Sequence, residues 1–362
     1  VLEMTRYKKP KEELDIQTEQ AELNNEHIVK AKEIANTIDT RIEQSSNDDT
    51  TYAPVDYENA FIPYRIGNYK DIMGLKHELY NHVMSCDQPV LLIGDKGSGK
   101  TMTVHDLARD LYDDGVLGGM ISIQGNFNTS DKHMISFNRL KGLSGETVKG
   151  FAVNSICLAN HFSEGIHAEK PKIVISYTDE LPNMPTETSI ILAPLLDGRR
   201  MIQTQDGKVW RLNDNARLVF IASGNPSHYA GVNTLQEALM SRFTGYYIGY
   251  PSDDSICKMI DFDKYGVPED VVNPLLTLCS DIHSMKQKQD VDYVVSPRDL
   301  SYFAQEYHNR INKYEPKETP EQALVGTLEK TILINYQDVT ERQLVKTSIE
   351  ETFGITMQTK YS

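Results

Sequence analysis

Val90-Leu91-Leu92-Ile93 runs directly into Gly94-Asp95-Lys96-Gly97-Ser98-Gly99-Lys100-Thr101, and these twelve residues carry the strongest signal in the chain. The second part matches G-x-x-x-x-G-K-[ST] throughout, and the apolar run before it supplies the strand that such a phosphate-binding loop needs. Its glycines allow successive backbone N–H groups to converge on a phosphate, Lys100 adds a positive charge for the outer phosphates, and the Thr101 hydroxyl suits Mg²⁺. Downstream, Val104, Leu107, Ala108 and Leu111 fall at i, i+3, i+4 and i+7. The loop is therefore expected to open an amphipathic helix whose N-terminus faces the phosphates.

Two further strand ends carry matching chemistry. Lys172-Ile173-Val174-Ile175-Ser176-Tyr177-Thr178-Asp179-Glu180 reads as a strand ending in two carboxylates. Asp179 is expected to hold Mg²⁺ through water, and Glu180 to orient and polarise the attacking water. Phe220-Ile221-Ala222-Ser223-Gly224-Asn225-Pro226 is a third apolar run, ending in an amide that can hydrogen-bond that water or the outer phosphate. With Gly119 to Ile123 and Tyr246 to Tyr250 there are five such runs, and helical stretches between them give the βαβ rhythm of a parallel sheet. Beyond Pro251 the segments near 252–265, 268–288, 296–311, 319–336 and 340–354 read as helices, the third opened by Ser296-Pro297. An α/β core over 61–250 and an all-helical unit over 251–362 are expected.

Residues 1–60 differ in composition, with seven basic and fourteen acidic residues. They read as an acidic arm and linker, partly helical through Leu23, Ile28, Ala31, Ile34, Ala35 and Ile38. The whole chain of 362 residues carries a net charge of −15, which disfavours nucleic acid as a partner, since backbone binding rests on Lys and Arg. Cys86, Cys157, Cys257 and Cys279 are widely spaced without a CxxC pair, so neither a disulfide framework nor a zinc knuckle is expected. No apolar run has the length of a membrane span or signal peptide, and a cytoplasmic location is expected. The first residue is Val1, and an address segment upstream of it stays open. His161 and His167 read as ordinary structural histidines, because no HExxH or carboxylate cluster accompanies them.

The order of phosphate loop, Asp179-Glu180, Gly224-Asn225-Pro226 and Ala238-Leu239-Met240-Ser241-Arg242-Phe243 resembles AAA+ ATPases of the MoxR group, close to its CbbQ, NorQ and GvpN branch. Leu195-Leu196-Asp197-Gly198-Arg199-Arg200 and Ser296-Pro297-Arg298 add to the likeness, which covers about residues 61 to 355. The family commonly has Pro in the loop where Asp95 and Lys96 stand, variable positions that do not supply the chemistry. The resemblance implies a five-stranded core, a helical lid, and a homo-hexameric ring with ATP and Mg²⁺ at each subunit boundary. By the same resemblance Arg242 is the arginine finger that completes the neighbour's site, and Arg298 the lid arginine that contacts its own subunit's nucleotide. It also implies two pore-facing insertions. One is a hairpin over Arg200 to Leu212, which the Asp206-Gly207 turn also suggests. The other is a loop over Leu140 to Phe151, in which Lys141, Lys149 and Phe151 are candidates for substrate contact.

The leading function is then an ATP-driven motor that remodels or activates a protein client, with a von Willebrand A domain protein as a partner implied by the relatives. A nucleic-acid translocase is the alternative, which the net acidity opposes. A nucleotide-binding module without turnover is a third, weakened by the joint presence of Lys100, Asp179, Glu180, Asn225 and Arg242.

Overall fold

The computed structural model describes residues 53–67, 70–141, 144–204, 207–226 and 235–357. The expected helix between Leu23 and Ile38 and the hairpin tip at Gln205 and Asp206 lie outside them. After an irregular segment, α1 (Leu75–Ser85) leads to β1 (Val90–Gly94), α2 (Lys100–Asp113) and β2 (Leu117–Gln124). Then follow a short α3 (Asp131–Met134), β3 (Ser136–Lys141), β4 (Ser144–Lys149), α4 (Phe151–His161) and β5 (Ile173–Asp179). Two single turns, α5 (Thr186–Ser189) and α6 (Ala193–Leu196), precede β6 (Met201–Gln203), β7 (Val209–Arg211) and β8 (Arg217–Gly224). The turn α7 (Glu237–Met240) and β9 (Thr244–Ile248) complete the sheet region.

Five strands form one sheet in the order β2-β5-β8-β1-β9, and all four pairings are parallel. Both faces are covered, which is why the strands read as unbroken apolar runs rather than alternating ones. Leu92, Ile175, Val219 and Ile221 point to one side, against Leu79 and Val83 of α1 and Val104, Leu107 and Leu111 of α2. Leu91, Val174, Leu218 and Phe220 point to the other, against Ile156 and Leu158 of α4. Because β1 lies between β8 and β9, its carboxyl end opens beside the ends of β8 and β5, the place where open parallel sheets bind ligands.

The remaining chain is helical: α8 (Asp253–Met259), α9 (Glu269–Gln287), α10 (Pro297–Asn312), α11 (Pro320–Thr331) and α12 (Val339–Phe353). It has its own core, in which Leu275, Ile282, Phe303, Leu328 and Ile349 are buried. Helix starts are set locally. Ser296 and Asp299 form a capping box at α10, as Thr319 and Gln322 do at α11, and Asp338 caps α12. The stretch expected as one helix over 252–265 breaks after α8, where Ile260 is extended and Ile260 and Phe262 turn into the lid core. The fold is an AAA+-type α/β core with a helical lid.

Outside the main sheet, β3 pairs with β4 and β6 with β7, each an antiparallel hairpin. The second was expected. The first corrects the reading of Leu140 to Phe151 as a loop, since its strands pair from Ser136–Lys149 to Lys141–Ser144 and α4 starts at Phe151. The substrate contacts suggested for Lys149 and Phe151 are corrected too, because both are buried, at 5% and 6% exposure. The Lys149 ammonium lies 5.3 Å from the Trp210 ring centroid and 5.7 Å from that of Tyr57, between the two hairpins. Phe151 meets Phe220 edge-on in the core. The side chain of Lys141 lies outside the described ones.

Candidate functional site

The chain leaves β1 at Gly94 and re-enters regular structure at Lys100. In between, Gly97 and Gly99 adopt φ of +80° and +88°, which side-chain-bearing residues rarely tolerate. The loop wraps the Lys100 side chain, which is 8% exposed. Its ammonium donates to the carbonyls of Gly94 (2.6 Å) and Asp95 (2.9 Å) and approaches Ser98 Oγ and Asn225 Oδ1, each at 3.4 Å. Burial pushes the Lys100 pKa down to about 8, while Asp179, Asp95 and Glu180 pull the other way. Lys96 faces the Tyr293 ring at 5.5 Å, on the lid side of the same loop.

Thr101, the second residue of α2, donates its hydroxyl proton to Asp179 Oδ2 at 2.9 Å. The other oxygen, Oδ1, accepts from the Tyr177 hydroxyl at 2.9 Å and from Ser223 Oγ. A hydroxyl and a carboxylate side by side form the hard-oxygen donor pair that Mg²⁺ takes from a protein when phosphates and waters supply the rest. These residues therefore fit the cation. Among the described residues no cluster of three or more His, Cys, Asp or Glu could hold a metal by itself.

Glu180 follows Asp179 in a left-handed backbone conformation, φ 54° and ψ 43°. That is uncommon for a residue with a side chain. Its carboxylate Oε2 accepts from Gln124 Nε2 and from Asn183 Nδ2, both at 2.9 Å. Gly125 makes this possible, because a Cβ there would come within 2.4 Å of the Glu180 carbonyl oxygen. Asn225, just beyond β8, completes the core side of the cleft.

The lid forms the opposite wall. Gly97 packs so closely on the α10 cap that a Cβ would meet Ser296 at 2.5 Å. Arg298, the second residue of α10, lines the cleft with Ser301 and Tyr302. Ile66, Ile72, Met73, Met259 and Ile260 give the remainder an apolar lining, and the cavity measures about 680 Å³. Gly97, Lys96, Ser98, Gly99, Lys100, Thr101, Asp179, Glu180, Asn225 and Arg298 thus lie around one cleft between core and lid. Gly94 and Asp95 border it through the carbonyls that hold Lys100.

Arg242 is not among the residues lining this cleft. It lies in the turn just after α7, with its guanidinium on Asp197 Oδ2 at 3.0 Å. Hydrogen bonds from Arg199, then from Arg242, hold the Asp197 carboxyl well below the usual range. Sequence reasoning missed Tyr177, Ser223, Gln124 and Asn183, which touch Asp179 or Glu180; Gln124 and Ser223 are ordinary strand residues until the strands are placed side by side, whereas Tyr177, two residues before Asp179, and Asn183, three after Glu180, lay within local reach. His161 and His167 both approach Glu58, and the His161 hydrogen bond is the main cause of a lowered Glu58 pKa.

Residues 89–243 match the AAA domain (dynein-related subfamily), so this part of the chain carries an AAA domain. Comparison with curated proteins finds no match. Among solved structures the chain is similar to NtrX from Brucella abortus, crystallised in complex with ADP. The identity is 13%, the coverage 81% of this chain and 67% of that one, and the TM-score 0.43.

Proposed function

We propose that this chain is a Mg²⁺-dependent ATPase of the MoxR type that works as a homo-hexameric ring and uses hydrolysis to remodel or activate a protein client. The observation that carries it is the meeting of Lys100, the Thr101–Asp179 pair, Glu180, Asn225 and Arg298 around one cleft between an AAA core and a helical lid. In this reading Lys100 and the loop N–H groups from Gly94 to Gly99 hold the phosphates, and Mg²⁺, held at Thr101 and Asp179, offsets their charge. Glu180 orients the attacking water, Asn225 fixes its position, and Arg298 reports the nucleotide to the lid. Arg242, outside its own cleft, serves the neighbouring subunit. The units of this machine are the arm 1–60, the core 61–250 and the lid 251–362.

The client side of the proposal rests on the MoxR resemblance and on the net charge of −15. A protein with a von Willebrand A domain is the partner to test first, in the cytoplasm. No helix among the described residues is long and apolar enough to cross a membrane. The experiment is phosphate release from Mg-ATP with such a partner or with DNA at low salt, where backbone binding is strongest. Stimulation by the protein and none by DNA is expected; several-fold stimulation by DNA alone would overturn the client assignment.

A further inference from the structure

Beneath the cleft, Tyr177 is buried to 1% exposure, yet its hydroxyl reaches three oxygens of the site. They are Asp179 Oδ1 at 2.9 Å, Ser223 Oγ at 3.0 Å and Thr101 Oγ1 at 3.4 Å. Residues i and i+2 of a strand share a face, so Tyr177 lies directly behind Asp179 on the α2 side of β5. There the His105 ring meets it edge-on, at 6.0 Å and 89°. Phenylalanine would fill the same apolar volume, so packing alone does not account for the hydroxyl.

We infer that Tyr177 and Ser223 form a bracket that positions Asp179 for the divalent cation and ties it to Glu180. The inference rests on the reading of Thr101 and Asp179 as the cation's protein ligands. A phenol has one proton, and an ionised carboxylate is the strongest acceptor in reach, so Tyr177 gives its proton to Asp179 Oδ1. Ser223 gives its proton to the same oxygen and accepts the Glu180 backbone N–H at 3.2 Å. Two donors on Oδ1 fix the carboxylate plane and leave Oδ2 to Thr101. With its proton on Oδ2, the Thr101 hydroxyl turns its lone pairs to the cleft. Ser223 also fixes the backbone of Glu180 at its left-handed φ. Tyr177 and Ser223 are positioning residues; neither lines the cleft.

The test measures Mn²⁺ binding by electron paramagnetic resonance to the full chain saturated with the non-hydrolysable analogue AMP-PNP. Alongside it, AMP-PNP affinity is measured in EDTA and thermal melting confirms the fold. Tyr177→Phe should weaken Mn²⁺ by about tenfold, the low end of what losing a partner of a metal-ligating carboxylate costs. Its metal-free AMP-PNP affinity should stay that of the wild type. Ser223→Ala should shift Mn²⁺ in the same direction, and it carries the test if Tyr177→Phe does not fold. Wild-type Mn²⁺ affinity in the folded variants, or equal losses with and without metal, would overturn the bracket while leaving the nucleotide site standing. Failure of the wild-type chain to bind AMP-PNP would instead overturn the site reading, and the bracket with it.

Discussion

Lys100 sets the pH behaviour of the cleft. Its folded pKa of about 8, depressed chiefly by burial, rises again when phosphates stand beside the ammonium. At Lys100, binding therefore takes up a proton above that pH and none below it. Above the range, about pH 6, in which the terminal phosphate of ATP itself titrates, ATP affinity should be flat up to about pH 8 and fall beyond it, by up to roughly tenfold per pH unit. Calorimetry in buffers of different ionisation heat would show the uptake as a buffer-dependent enthalpy confined to the alkaline side. Lys100→Ala should lose nucleotide binding, whereas Glu180→Gln should bind ATP and not turn it over. Equal loss of ATP affinity in the two variants, measured by the same calorimetry, would contradict the roles proposed for them. Lys100, Thr101 and Asp179 could be read in sequence because each stands in a contiguous motif or at a strand end. Gln124 and Ser223 could not. Their contacts arise only when β2, β5 and β8 lie next to each other, an order that the chain does not spell out locally, whereas Tyr177 shares a strand face with Asp179 and stood within local reach.

At the scale of elements, burial on both faces is what made the five sheet strands and their order of appearance legible. The β3–β4 ribbon escaped notice because Ser136-Phe137-Asn138-Arg139-Leu140-Lys141 and its partner strand form no apolar run. Two-stranded ribbons draw stability from what they pack on. Here Lys149 at the end of β4 faces Trp210 of β7, and the Lys208 ammonium stands 4.6 Å from the same ring centroid. Lys149→Met should therefore destabilise the fold by about 1 to 2 kcal/mol, the scale of a desolvated cation–π contact. Denaturant melts followed through Trp210, the sole tryptophan, would read this directly. AMP-PNP binding should be retained. Wild-type stability combined with loss of client-stimulated turnover would return Lys149 to a substrate-contact role.

The described residues form two units, the α/β core with a buried cluster on each face of its sheet and the lid with its own, that meet at the phosphate loop. Gly97 abuts Ser296, and Arg298 shares a cleft with Lys100. A nucleotide bridging these groups would fix the lid against the core, and a ring would pass that change to the next subunit. Asp197 pairs with Arg242 outside the lining of its own cleft, and the proposed ring assigns Arg242 to a neighbour's site. Turnover per subunit should then rise steeply with protein concentration. Arg242→Ala should abolish most of it, since such arginines supply roughly 10³ to 10⁵ in rate. The most direct test mixes two variants that are each inactive alone. Glu180→Gln subunits keep Arg242 but cannot activate water, and Arg242→Ala subunits keep Glu180 but offer no arginine. Assembled together, they should release phosphate from Mg-ATP well above the sum of the separate preparations. A mixture that co-assembles in light scattering and yet shows only that sum would contradict a site shared between subunits.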